Sequence, residues 1–298
     1  MAERATRSAS RKARLTEAVV TGPLGALSHD ELGVIVDGLA DPLQPVVAVA
    51  LSSTCLGLRT PLRVALEVLK ERHARAVALC RKRETSCAEM RDARQLLWSN
   101  KGLTAADVAT LAMILCTNGL PRLQRLYLIG NGLGDVGVQA LYNGLGRGTA
   151  LSLLVLSLGF NKIGPAGSEA LAAALRRGAM PNLEQLDLAY NLIGNQGWAA
   201  LAAPLRKLPA LKHLHLDNCE IGDEGVASLV ANLGKDDFKA LEALWIQGNK
   251  IGDVGAAKLV AALDAGGLPK LTNCLKTDNP ASAAALRAVQ DALATRWH

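Results

Sequence analysis

Between Leu123 and Leu263 the apolar and polar positions follow one order five times: LQRLYLIGNGLGDVGVQAL, LLVLSLGFNKIGPAGSEAL, LEQLDLAYNLIGNQGWAAL, LKHLHLDNCEIGDEGVASL and LEALWIQGNKIGDVGAAKL. Aligned, they read LxxLxLxxN/CxI/LGxxGxxxL, with a pivot residue at Asn131, Asn161, Asn191, Cys219 and Asn249. Successive pivots are 30, 30, 28 and 30 residues apart, a period that marks stacked supersecondary units. Within LxLxx the leucines recur every second residue, so they share one face of a short strand while the residues between them face the other way. Past the pivot the spacing turns helical, as in Val138, Leu141 and Leu145. Asp135, Asn195, Asp223 and Asp253 stand where a helix N-cap is expected, and Pro165 suits a first turn. One strand and one helix cannot bury both their apolar faces, but units stacked side by side share a continuous core. The expected class is α/β, a solenoid of parallel strands inside and helices outside. Because a helix is about 10 Å wide and strands lie about 4.8 Å apart, such a stack bends toward its strands.

The flanks extend the pattern. LWSNKGLTAADVATLAMIL (97–115) reads as a worn first repeat through Leu97, Asn100, Leu103, Val108 and Leu111, with one extra residue after the Asn. LTNCLKTDN (271–279) keeps the register at Leu271, Cys274 and Asn279 but puts Lys276 at a core position. An Ala-rich helix with Leu286, Val289 and Leu293 then caps the array, so the repeats span 97–279 and the C-terminal cap 280–298. Upstream, residues 1–22 are Arg-rich and poor in apolar residues, which predicts a disordered basic tail; an organelle-targeting peptide is the other reading of its arginines. Residues 23–63 predict short helices, broken at Asp41-Pro42 and Pro45, and 64–96 predict one or two more as an N-terminal cap or linker. This makes a small all-α region before the array.

The five copies resemble the ribonuclease-inhibitor class of leucine-rich repeats over residues 97 to 280, which implies a horseshoe with strands on the concave side. Residues 23–63 resemble the F-box through Leu27, Asp30-Glu31-Leu32, Ile35, Leu39, Asp41-Pro42, Leu43, Leu51 and Cys55, with Ser28 and Leu58 replacing a usual proline and aromatic. That resemblance implies docking onto the Skp1-type adaptor of cullin-RING ubiquitin ligases through Leu27, Leu32, Ile35, Leu39 and Leu43. A plain helical cap over the open end of the solenoid accounts for the same residues.

Composition narrows the function. Residues 1–101 carry 16 Lys and Arg against 11 acids, whereas 102–298 carry 17 against 16, so the array is nearly neutral and unsuited to wrapping nucleic acid. The basic stretch from Lys70 to Arg83 lacks interleaved aromatics and reads as a solvated helix face. No apolar run reaches the roughly 20 residues of a membrane span, and the six cysteines show no CxxC pair. An intracellular protein of cytoplasm or nucleus is expected. No nucleotide-binding or catalytic signature appears, so neither enzyme activity nor a cofactor is expected.

Outward strand positions supply the candidate partner-binding face: Arg125 and Tyr127, Ser157, Gln185 and Asp187, His213, His215 and Asp217, Trp245 and Gln247. With Phe160, Tyr190 and Trp98 beside them, five of nine aromatics gather there, as an anchoring surface requires. His213, His215 and Asp217 lie about 7 Å apart along one strand, too far for joint metal ligation without a bend. The expected function is a protein-interaction scaffold, foremost a substrate receptor with cargo on the concave face. A ribonuclease-inhibitor-like inhibitor or sensor without a ubiquitin role is the alternative. A RanGAP-like GTPase activator comes third, since that type carries an acidic tail and this sequence ends ATRWH.

Overall fold

The computed structural model describes residues 41–46, 49–50, 63–143, 145–146, 149–234, 236–274 and 278–295. Leu27, Leu32, Ile35, Leu39, the basic tail and Lys276 lie outside the described residues. The chain divides into two compact units, residues 1–91 with 117–119, and residues 92–116 with 120–298.

In the first unit, helix α1 (Arg63–Lys82) buries Leu69, Ala76, Leu79 and Cys80 along one stripe, the residue spacing of a single helical face. Helix α2 (Cys87–Asp92) opens with a capping box: Ser86 N donates to Glu89 Oε2 (2.8 Å) and Glu89 N donates to Ser86 Oγ (3.1 Å). Asp41 organises the preceding turn, accepting from Leu43 N (2.8 Å) and from Arg91 Nε (2.6 Å). His73, isolated in the sequence, has its Nδ1 2.7 Å from Pro42 O and so ties that turn to α1. Leu43 is buried.

The second unit carries a parallel sheet of seven strands among the described residues, in sequence order: β1 (Gln95–Leu97), β2 (Arg125–Tyr127), β3 (Val155–Ser157), β4 (Gln185–Asp187), β5 (His213–His215), β6 (Ala243–Trp245) and β7 (Asn273–Cys274). Between them run α3 (Ala105–Cys116), α4 (Gly134–Asn143), α5 (Pro165–Arg176), α6 (Gly194–Arg206), α7 (Asp223–Val230) and α8 (Asp253–Asp264), each packed on the next, and α9 (Ala283–Ala294) closes the series. Leu126, Leu156, Leu186, Leu214 and Leu244 pair across the sheet and are all buried, which is the shared interior that the repeat pattern predicts.

The pivots form a ladder. Asn161 Nδ2 donates to Leu128 O and Leu158 O (both 2.9 Å), while its Oδ1 accepts from Asn131 N (3.1 Å) and Leu133 N (3.4 Å) in the repeat before. Asn131, Asn191 and Asn249 repeat this arrangement, and Asn279 extends it to the last unit by accepting from Ile251 N (3.1 Å). A carboxamide is used because it alone supplies a donor and an acceptor to buried backbone at both ends. Cys219 supplies only a thiol, directed at Leu188 O (3.1 Å), and burial pushes that thiol up to about 12.

Two expectations about the array need correction. The first repeat has no extra residue, because Leu96 pairs with Leu126 and Leu97 with Tyr127. Leu96 is therefore the core residue, Leu97 is 60% exposed, and Lys101, not Asn100, stands at the pivot position, where its N–H reaches Asn131 Oδ1. Adjacent leucines and a decoy asparagine hid this one-residue slip, which only strand pairing resolves. The regular section accordingly begins at Gln95.

Asp135, Asn195 and Asp223 cap not their own helices but the next ones. Helices α5, α7 and α8 have Gly164, Gly222 and Gly252 at their N-caps, with no side-chain cap of their own. Each borrows one from the repeat before: Asp135 Oδ1 accepts from Gly164 N (2.7 Å) and Gly167 N (2.9 Å), Asn195 Oδ1 from Gly222 N (2.7 Å), and Asp223 Oδ1 from Gly252 N (2.7 Å) and Gly255 N (2.9 Å). The second glycine of GxxG makes the room, since a Cβ at Gly167 would lie 2.6 Å from Asp135 Oδ1.

Candidate protein-binding face

Outward positions of neighbouring strands align in two rows across the sheet. One runs Leu97, Tyr127, Ser157, Asp187, His215 and Trp245; the other runs Gln95, Arg125, Val155, Gln185, His213, Ala243 and Asn273. Strands two or three residues long, fixed by apolar residues on the inner face, thus present side chains every 4.8 Å or so without further machinery.

Of the predicted residues, Gln185, Asp187, His213, His215, Asp217, Trp245 and Gln247 fall on three adjacent repeats. The His215 ring stacks on Trp245 with centroids 3.9 Å apart and planes 9° from parallel, and His213 tilts toward the same indole at 5.7 Å. Gln185 Nε2 lies 3.4 Å from His215 Nε2. An amide nitrogen only donates, so this contact asks the imidazole nitrogen to accept, which a neutral ring does. Burial holds the His215 pKa below its ordinary value, partly opposed by Asp187 and Asp217. Burial raises the Asp217 carboxyl, partly opposed by the Gln247 N–H and by His215. Each aspartate spends one oxygen on a nearby turn: Asp187 Oδ1 accepts from Ala189 N (3.0 Å) and Asp217 Oδ1 from Gln247 N (3.3 Å). Two polar atoms of the patch, His213 Nδ1 and Gln247 Oε1, are buried without a hydrogen-bond partner.

Arg125 and Tyr127 lie on β2, separated from this group by β3. Ser157, expected as a contact residue, has the outward register but is 2% exposed, so it offers a partner no surface. Trp98 is not on this face either: it continues the row of buried Leu128 and Leu158 and is itself buried. Among the described residues no group of three or more His, Cys, Asp or Glu is placed to hold a metal ion.

A stronger feature escaped the strand positions. Phe160 and Tyr190, each one residue before a pivot, stack with centroids 4.1 Å apart and planes 11° from parallel, yet stay 53% and 48% exposed. Both have φ of 57°, the left-handed region. The same position holds Gly130, Asn218 and Gly248, the residue types that tolerate that backbone best. Two exposed aromatics where the turn asks for glycine or asparagine were the signal available in the sequence. The turns of the repeat also impose positive φ at Lys162, Met180, Glu220, Phe238 and Leu268, so what sets Phe160 and Tyr190 apart is that two aromatic rings there are stacked and left exposed. Gly159 beside them leaves room for Asp187, whose carboxylate oxygens lie 3.4 Å from where a Cβ would stand. The aromatic pair and the acidic patch are therefore contiguous.

Five stretches of the chain, 121–141, 150–172, 179–202, 207–230 and 241–260, match the family described as Leucine Rich repeat. Comparison with curated proteins found no match. No helix among the described residues is long and apolar enough to cross a membrane.

Proposed function

We propose that this leucine-rich-repeat protein, a protein-interaction scaffold by its repeats, grips a folded or extended partner on its sheet face, with the Phe160–Tyr190 stack as anchor. The observation that carries this is the cost of the pair. Left-handed backbone at a bulky residue is unfavourable by about 1 kcal/mol or more, and exposed rings recover little of it by burial until something covers them. Buried aromatics at an interface do recover it, as anchoring residues. The strand-and-helix unit of 28 to 30 residues supports the ribonuclease-inhibitor class of repeat.

The full-length protein as bait, followed by mass spectrometry of what it retains, tests the reading. Partners held by the wild type are expected to be lost with Phe160→Asn plus Tyr190→Asn. Retention of the same partners by that variant and by Trp245→Ala overturns it.

The substrate-receptor reading rests on the order of Leu27, Leu32, Ile35, Leu39, Asp41-Pro42 and Cys55. It adds a Skp1-type adaptor to the retained proteins, lost with Leu32→Asp plus Leu39→Asp while cargo stays. Adaptor absent from the wild-type sample leaves the inhibitor or sensor reading, in which residues 90–298 keep all binding.

A further inference from the structure

The sheet face between β4 and β6 is chemically one-sided. Asp187 and Asp217 occupy adjacent repeats on the same face, and neither is in an ion pair with any described Lys or Arg. Lys212, just before β5, is engaged by Glu184 at 3.1 Å, and Arg125 lies two strands from β4 on β2. His215, between the carboxylates, has a ring nitrogen turned to an amide donor, as a neutral imidazole would. Each carboxylate has one oxygen committed to a turn amide and the other free of any such contact. Beside them stand the faces and edges of Phe160, Tyr190 and Trp245. The whole chain carries a formal charge of +6, so this negative patch is a local construction and not a consequence of an acidic protein.

Acceptors in excess, two unpaired negative charges and aromatic surfaces together match one kind of group. A guanidinium has five donors and no acceptor, lies flat on aromatic rings, and bridges carboxylates in its plane. An ammonium satisfies the charge but not the planar stacking. We infer that the patch formed by Asp187 and Asp217, flanked by Tyr190 and Trp245, docks an arginine-bearing segment of a partner protein. This rests on the sheet face being the binding surface, and it adds the chemistry of what is bound there.

The test is selection of random twelve-residue peptides on the immobilised full-length protein, with affinities of the winners measured by titration. Peptides centred on arginine are expected. Their affinity should fall about tenfold or more when the protein carries Asp187→Asn plus Asp217→Asn, as charge-assisted hydrogen bonds require. Lys212→Gln should leave it unchanged. A ligand-side control avoids any folding defect: replacing the peptide arginine by citrulline, a neutral isostere, should cost the same tenfold on the wild type and nothing further on the double variant. Neutral or acidic winners that depend on Trp245 overturn the arginine inference while sparing the sheet-face reading. Winners indifferent to Trp245, Tyr190 and both aspartates, or no enrichment at all, overturn both.

Discussion

Asp223 caps a helix that is not its own: its Oδ1 accepts from Gly252 N (2.7 Å) and Gly255 N (2.9 Å) at the start of α8, and a Cβ on Gly255 would lie 2.5 Å from that oxygen. Neighbouring repeats are therefore stitched at the helix ends as well as at the strands. In an isolated helix Gly→Ala is favourable by about 1 kcal/mol. Here Gly255→Ala must displace the carboxylate, with Ile251 Cγ2 only 3.0 Å from the new methyl, so a net loss of about 1–2 kcal/mol is expected from the lost cap and the overpacking. Urea denaturation checks the sign; a stabilised variant would contradict the shared cap.

Cys219 is the weak rung of the pivot ladder. Its thiol offers no oxygen to Asn191 N and Ile193 N, the counterparts of the Cys219 and Ile221 amides that Asn249 Oδ1 satisfies at 3.0 Å each. Sulfur gives Asn191 N only a weak acceptor, so Cys219→Asn should strengthen that contact, add one to Ile193 N and raise stability by about 1 kcal/mol, seen as a higher urea midpoint with unchanged slope.

Tyr142 is fully buried on α4 with its hydroxyl unpaired, and burial drives its pKa upward. An unpaired buried hydroxyl is costly, so Tyr142→Phe should stabilise the protein by about 1 kcal/mol. Thermal melting decides it, and a lower midpoint would mean that the hydroxyl finds a partner in solution.

Phe160→Asn with Tyr190→Asn removes two large aromatics, but relief of the left-handed strain, about 1 kcal/mol each, offsets the lost stacking of about 0.5–1.5 kcal/mol. Stability within about 1 kcal/mol of wild type is expected from these opposing terms, alongside loss of partner binding. A collapse in stability would show the stack to be structural.

His215 sets a pH dependence. The unfolded chain protonates it near about 6.5, whereas burial in the folded state defers protonation to lower pH. Between those values the unfolded state binds more protons, so stability falls as pH drops through the window beginning at about 6.5. Urea midpoints measured from pH 7.5 down to 5.5 should decline less steeply for His215→Gln than for wild type. Equal slopes would place the linkage elsewhere.

What was legible along the chain was whatever obeys a local period. Leucines at every second position, helical spacing after each pivot and a pivot (Asn, once Cys) every 28 to 30 residues identify the unit, its order and its stacking, because each follows from one repeat's need to bury its faces. Contacts that cross between repeats were not legible. Leu96 and Leu97 are equally apolar, and only pairing with Leu126 and Tyr127 sends one inward and the other out. Asp135 reads as a cap for α4, yet stacking brings it to Gly164 and Gly167, about thirty residues on, where the missing Cβ admits it. Ser157 and Trp98 differ from expectation for the same reason, since burial depends on what the neighbouring strand carries. The chain alone thus determined the repeating unit and the faces of its strands. Tertiary structure decided which side chains meet across repeats, and so assembled Phe160 with Tyr190 and Asp187 with His215, Asp217 and Trp245 into one face, because those meetings depend on distance in space and not along the sequence.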